Sequence, residues 1–340
     1  MKPLLKLTTL VVISISSWSA NAQDANFSQF SENYVLLNPA LMGMSGQEFK
    51  VNAQYRNQWS SIGATYAHMM VSGEFSKQLN RSEDIAHYGF AISNDKAGAI
   101  NMNRITFNAA LSYNKKVSTV HNSYLSLGFV LSNVNRSVDM GKMTFANQYI
   151  NGGFQVNAPS RETINDYHVS YLNIGSGIGF MTGTGYYNRN KLHLGLAAYN
   201  LLSSDAPILS DNSVNIIQQR YVANAGYHLY IKEDVNLQLL VCLQKQQAFE
   251  QTMLGFMYTT YNAKTKAKKN KDHVIWSMGM FYRMGDAIIP TVKFVTSNLT
   301  FGISYDAPIN KERFGNASFG TTEVSMCFNG MLLGTKKSKK

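Results

Sequence analysis

From Glu48 to Trp59 the chain reads EFKVNAQYRNQW. Phe49, Val51, Ala53, Tyr55 and Trp59 fall on one parity; Lys50, Asn52, Gln54, Arg56 and Gln58 fall on the other, and only Asn57 breaks the set. Successive side chains of a strand point to opposite faces, so this stretch predicts a ribbon with one apolar and one polar face. The alternation returns at Ala67–Phe75, Ile105–Tyr113, Leu125–Leu131, Leu192–Ala198, Tyr221–Leu229, Val235–Leu243, Val274–Tyr282, Leu299–Tyr305 and Thr322–Phe328. With weaker runs near 86–94, 168–180, 248–260 and 286–296, the pattern predicts about 14 strands of about 9–13 residues.

Such strands exceed the five or six residues usual in soluble sheets and match tilted membrane strands. An even count and aromatic residues near strand ends agree with that reading. The prediction is an all-β fold: a transmembrane antiparallel up-and-down β-barrel whose apolar face meets lipid and whose polar face lines the lumen. A secreted β-sandwich or propeller is the alternative, with the apolar face inside.

The chain opens MKPLLKLTTLVVISISSWSANAQ, with Lys2 and Lys6 before an apolar run and Ala20-Asn21-Ala22 as a small-residue cleavage pattern. This predicts a signal peptide over 1–22 and a mature chain from about Gln23. A packing or plug segment follows over 23–47, then the barrel over 48–330 and a basic tail over 331–340. The expected location is the outer membrane. Taking the mature N-terminus as periplasmic makes the connection after Trp59 extracellular, and later ones alternate. Asn133–Asp166 and Ser203–Gln218 then lie outside, and Ala263–Asp272 and Gly334–Lys340 in the periplasm. On this map the connections near Gln244–Phe249 and Met284–Ala287 are short for outer loops.

Formal charge is +11 and falls by two once Lys2 and Lys6 leave with the signal peptide. An exported chain rarely meets nucleic acid, so no nucleic-acid partner is expected. Two cysteines, Cys242 and Cys327, supply neither a disulfide framework nor a Cys-rich zinc site. They fall in strands read as non-neighbours and are expected as free thiols. GSGIGF (Gly175–Phe180) alternates glycine inside a strand-like run with no helix to receive a phosphate, and is read as a small-residue lumen stripe. No His pair has metal-ligand spacing, and no activated nucleophile stands out for a barrel-wall hydrolase. No catalytic residue, cofactor or metal is expected. His68 and His228 are read as members of hydrogen-bonded lumen networks, Arg56 as a lumen charge needing a partner, and Trp59 as an aromatic at the outer interface.

The segment before the first strand, QDANFSQFSENYVLLNPALMG (Gln23–Gly43), is dense in aromatics and Asn. Pro39 forces Asn38 to be extended and marks a turn. So much apolar area predicts that the segment plugs the barrel or packs beneath it, with Phe27, Phe30, Tyr34 and Pro39 buried. DANFSQF, then LNPALMG, then YRNQWSSI, in that order and spacing, resemble the start of the PorP/SprF family of the type IX secretion system. Phe27, Ser28, Gln29, Phe30, Asn38, Pro39 and Ala40 carry the N-terminal part of that resemblance. GLAAYNLL (Gly195–Leu202) resembles the family's mid-chain strand. FGISYDAPINKERFGNASFGTTEVSMCF (Phe301–Phe328) resembles its closing hairpin, although NGMLLGTKKSKK extends beyond the final aromatic.

The resemblance implies a non-enzymatic outer-membrane accessory of type IX secretion in Bacteroidetes-type bacteria. It would support export or surface attachment of cargo with C-terminal sorting domains, gliding adhesins among them. The implied partners are that cargo, other components of the machine including periplasmic peptidoglycan-associated proteins, and outer-membrane lipid. Two Lys clusters are candidate periplasmic docking points: Lys264, Lys266, Lys268, Lys269 and Lys271, then Lys336, Lys337, Lys339 and Lys340. Clustered charge steers association, although a solvated turn and tail would look the same. The alternative function is a transport barrel for small or hydrophobic solutes, because a segment ending in Asn-Pro-Ala also resembles the hatch of long-chain fatty-acid channels.

Overall fold

In the computed structural model, fourteen antiparallel strands close into one barrel. The described residues are 26–44, 46–58, 65–79, 83–98, 102–139, 145–150, 152–155, 158–159, 167–202, 217–232, 235–260, 275–296, 298–309 and 320–330. The strands are β1 (Phe49–Gln58), β2 (Tyr66–Gln78), β3 (Ile85–Ala97), β4 (Met102–Ser118), β5 (Ser123–Val138), β8 (Tyr167–Thr184) and β9 (Asn190–Tyr199). They continue with β10 (Arg220–Lys232), β11 (Val235–Gln246), β12 (Phe249–Thr260), β13 (Ile275–Arg283), β14 (Ala287–Val295), β15 (Leu299–Pro308) and β16 (Thr321–Gly330). Two further short strands, β6 (Tyr149–Ile150) and β7 (Gly153–Phe154), pair only with each other.

Consecutive barrel strands are neighbours, and β1 pairs with β16 to complete the circle. Closure removes the unpaired edges that an open sheet would expose to lipid. The apolar parity faces out: Val51, Tyr55, Phe107, Leu127, Leu196, Phe256 and Met326 are all exposed. The polar parity faces in, with Asn52, Gln54, Arg56, His68, Asn108, Asn173 and Glu323 buried.

β1 starts and β16 ends at the same rim, here the lower one. The strand ends that flank 79–84, 119–122, 185–189, 233–234, 261–274 and 296–298 share it. The upper rim carries the connections at 59–65, 98–101, 139–166, 200–219, 247–248, 284–286 and 309–320. The wall is uneven. β4, β5 and β8 run for 17, 16 and 18 residues, beyond the expected length, whereas β13 and β14 have 9 each. β5 reaches Val138 because Asn133–Ser137 continue the ladder with β8 after the apolar alternation has faded. The outer segment expected from Asn133 therefore begins later. The two short upper turns are real, and Gln247 holds φ 53° to make the tighter one.

Trp59 and all nine lysines of the two candidate docking clusters lie outside the described residues.

Candidate functional site

The segment 26–44 fills the lumen. It is built of short pieces: a 3-10 turn at Phe30–Glu32, one helical turn at Tyr34–Leu37 and a second 3-10 turn at Pro39–Leu41. Asn side chains set the starts of two of them. Asn33 Oδ1 accepts from Leu36 N at 3.4 Å, and Asn38 Oδ1 accepts from Ala40 N at 3.0 Å. These are Asx caps that satisfy backbone donors the short turns leave open. Phe27, Phe30, Tyr34, Val35, Leu37, Ala40, Leu41 and Met42 are buried, as are Ser28, Gln29, Asn38 and Pro39.

Three sets of contacts hold the segment. The first surrounds Ser28. Its Oγ lies 2.8 Å from both carboxylate oxygens of Asp306 and accepts from Arg56 Nη1 and Arg283 Nη2, each at 2.6 Å. The backbone N–H groups of Ser28 and Gln29 donate to Glu323 Oε2 and Oε1 at 2.7 and 2.8 Å. Arg56 pairs with Asp306 at 3.0 Å and lies 3.6 Å from Glu323; Arg283 pairs with Asp306 at 2.8 Å. Arg56 and Glu323 face each other across the β1–β16 seam. Two arginines and two acids thus neutralise one another around one hydroxyl, which is what buried charge requires.

The second set surrounds Glu32. Lys293 Nζ contacts its carboxylate, and Lys50 lies 3.7 Å away while donating to the Glu32 carbonyl at 2.7 Å. Lys50 also stands 5.9 Å from the centre of the Tyr34 ring. The third set is a glycine saddle. A Cβ on Gly177 would overlap Asn38 Oδ1, one on Gly195 would stand 2.8 Å from Asn224 Oδ1, and one on Gly179 would stand 2.7 Å from Leu41 Cδ2. A Cβ on Gly128 would overlap Ala40 N and lie 2.5 Å from Pro39 C; one on Gly89 would lie 2.5 Å from Met42 Sδ. The Asn-Pro-Ala turn thus rests directly on the backbones of β5, β8 and β9. Asn38 Nδ2 completes the seat by donating to Ile178 O and Asn224 Oδ1 at 3.3 Å.

Of the sequence-predicted residues, Phe27, Ser28, Gln29, Phe30, Asn38, Pro39 and Ala40 lie on this one segment. Phe27 packs on the His68 ring at 4.3 Å, and Phe30 meets Phe281 edge-on at 5.8 Å. His68 contacts Asp95, while His228 lies beside His193 with ring centres 5.7 Å apart. Cys242 and Cys327 are buried free thiols. Sequence reading left out Glu323, Arg283, Asp306, Glu32, Lys50 and Lys293 as anchors, and Gly128, Gly195 and Gly89 as parts of the seat. Apart from Glu32, which lies on the segment itself, their shared signal is charge or glycine on the inward parity. Among the described residues, no group of three or more His, Cys, Asp or Glu could hold a metal. Chemically the arrangement can clamp a polypeptide.

Among solved structures, the chain is similar to a FadL homologue of Pseudomonas aeruginosa at 10% identity, with 87% of this chain and 93% of that one covered and a TM-score of 0.49. It is similar to the Pseudomonas putida toluene transporter TodX at 9% identity, 86% and 91% coverage, and a TM-score of 0.49. CdiB from Acinetobacter baumannii gives 9% identity, 83% and 60% coverage, and 0.42. A comparison with curated proteins finds no match. The family described as "Type IX secretion system membrane protein PorP/SprF" matches residues 19–328, nearly the whole chain, and the protein belongs to that family.

Proposed function

We propose that this type IX secretion membrane barrel is a non-enzymatic outer-membrane platform. On this reading the upper rim faces the medium and helps export or retain particular cargo bearing C-terminal sorting domains, gliding-adhesin-type cargo included. The lower rim faces the periplasm and meets other components of the machine, among them peptidoglycan-associated proteins. The observation that carries the reading is the lumenal segment. A barrel whose lumen is occupied by its own chain, ion-paired at Ser28 and Glu32 and seated on backbone at Asn38, is built to stay shut. The orientation is supported by the two longest connections, 139–166 and 200–219, which both leave the upper rim, since outer-membrane barrels carry their long loops outside. The Lys264–Lys271 cluster and the tail lysines then fall on the periplasmic side, where they would steer acidic partners.

A deletion strain tests the proposal. Its medium and cell-surface proteins are compared with the parent's by mass spectrometry. Loss of a few proteins with C-terminal sorting domains, other exports being intact, is the expected result. An unchanged set together with altered uptake of a small solute overturns it in favour of a transport barrel.

A further inference from the structure

The two ends of the lumenal segment lie at opposite rims of the barrel. At one end, Gly43 N donates to Glu74 Oε2 at 3.0 Å, and Ser76 N donates to Glu48 O at 2.7 Å. Both partners stand near the lower end of β2, where β1 begins. At the other end, Asn26 Nδ2 donates to Gln251 Oε1 at 3.1 Å, and Gln251 is the third residue of β12 after the upper Gln247–Ala248 turn. The next contacts repeat that position. His68, against Phe27, is the third residue of β2 from its upper end. Arg283 is the last residue of β13, and Asp306 lies two residues before the upper end of β15. Between these ends the segment descends to Glu32, at the level of Lys50 and Lys293 near the lower rim. It climbs until the Leu36 carbonyl accepts from Arg220, the first residue of β10 at its upper end. It then descends over the glycine saddle to Gly43.

We infer that the protein threads its own barrel: the segment 26–44 passes through the lumen from the lower rim to the upper one, so Asn26 opens to the side of the membrane opposite that of Gly330 at the end of β16. The carboxyl end follows from β16, which finishes at the lower rim beside the start of β1. The exit lies above the low part of the wall, next to the two-residue turn at 247–248 and the three-residue turn at 284–286.

Threading also constrains how the barrel forms. The segment is continuous with β1 at the lower rim, so a closed barrel can receive it only by drawing its free end upward through the lumen. The seam offers a simpler order. Arg56 of β1 and Glu323 of β16 lie opposite each other across the ladder that joins the first and last strands, and both bond to Ser28. Closure around a segment already in place satisfies these charges at the moment they leave water, when an unpaired charge would cost most.

The sidedness of the inference rests on the reading above, but the opposition of the two ends does not. An epitope is inserted between Asp24 and Ala25 in one strain and appended after Lys340 in another, and antibody labelling is compared on intact and permeabilised cells. The expected result is amino-terminal labelling on intact cells and loss of carboxyl-terminal labelling unless cells are permeabilised. The reverse pattern keeps the threading and overturns the proposed orientation. Labelling of both ends from the same side overturns the threading. If either tagged chain fails to fold, Asn26→Cys probed with a membrane-impermeant maleimide decides the same point. The native Cys242 and Cys327 are buried and give little background.

Discussion

A methyl group on Gly177 would occupy the place of the Asn38 carboxamide oxygen. A strand residue in the barrel wall and a turn residue 139 positions earlier are thus complementary: the wall lacks a side chain where the lumenal segment needs room. Gly177→Ala is expected to push the Asn-Pro-Ala turn off its seat and destabilise the protein by about 1–3 kcal/mol, the usual cost of overpacking. Limited proteolysis of the folded barrel checks it, since a displaced segment is cut before the wall is.

Asp306 joins the lumenal segment to both arginines of the wall. Asp306→Ala leaves Arg56 and Arg283 with one carboxylate fewer between them and is expected to cost about 3–5 kcal/mol, as breaking a buried ion pair does. Asp306→Asn keeps the shape and should cost nearly as much, because the charge rather than the volume is at stake. Urea unfolding of the protein in lipid vesicles reads both. Loss of stability in the Ala variant alone would assign the effect to packing.

The alternation that defines the wall was legible because lipid and lumen impose a period of two on every strand, from Phe49 to Phe328. It faded where β5 and β8 run past the apolar band. There Asn133, Asn135 and Arg136 pair as strand without needing an apolar face, so the sequence read as loop. The lumenal segment was legible as aromatic and Asn-rich but not as a path. Turns of three or four residues leave no periodicity to follow. Its anchors were hidden for another reason. Glu323 and Asp306 lie 295 and 278 residues from Ser28, and only barrel closure brings them together. The Gly175–Gly179 stripe was read as small lumen residues; what it makes room for became visible only with Asn38 and Leu41 resting on it.

At the lower rim, Asp84 accepts from Tyr113 OH at 2.7 Å and from Lys116 N at 2.9 Å, with Lys115 Nζ at 3.1 Å. These bonds, the Tyr113 hydroxyl first, hold its carboxyl down to about 2. Because the folded value lies below the unfolded one, near 3.8, the stabilisation is present above about pH 4 and is lost as pH falls toward 2. Protection of the Lys116 amide in hydrogen exchange should decline over that window, and Asp84→Asn should abolish the decline. A decline that survives in the Asn variant would place its cause elsewhere.

Glu32 is held by Lys50 and Lys293 from two strands. Replacing both lysines by Met leaves the Glu32 carboxylate buried without a cation, so the segment should loosen at its lower bend. Adding Glu32→Gln to the double variant should recover much of the loss, because the uncompensated charge is gone. Thermal unfolding of the single, double and triple variants measures the recovery; a triple variant no more stable than the double would contradict it.

The claim that the lumen is shut by the protein's own chain is tested most directly by single-channel conductance of the purified full chain in planar bilayers. The account predicts no steady conductance from the native barrel and its appearance when residues 26–44 are deleted. A native barrel that conducts steadily, at the level of the deletion variant, would contradict it.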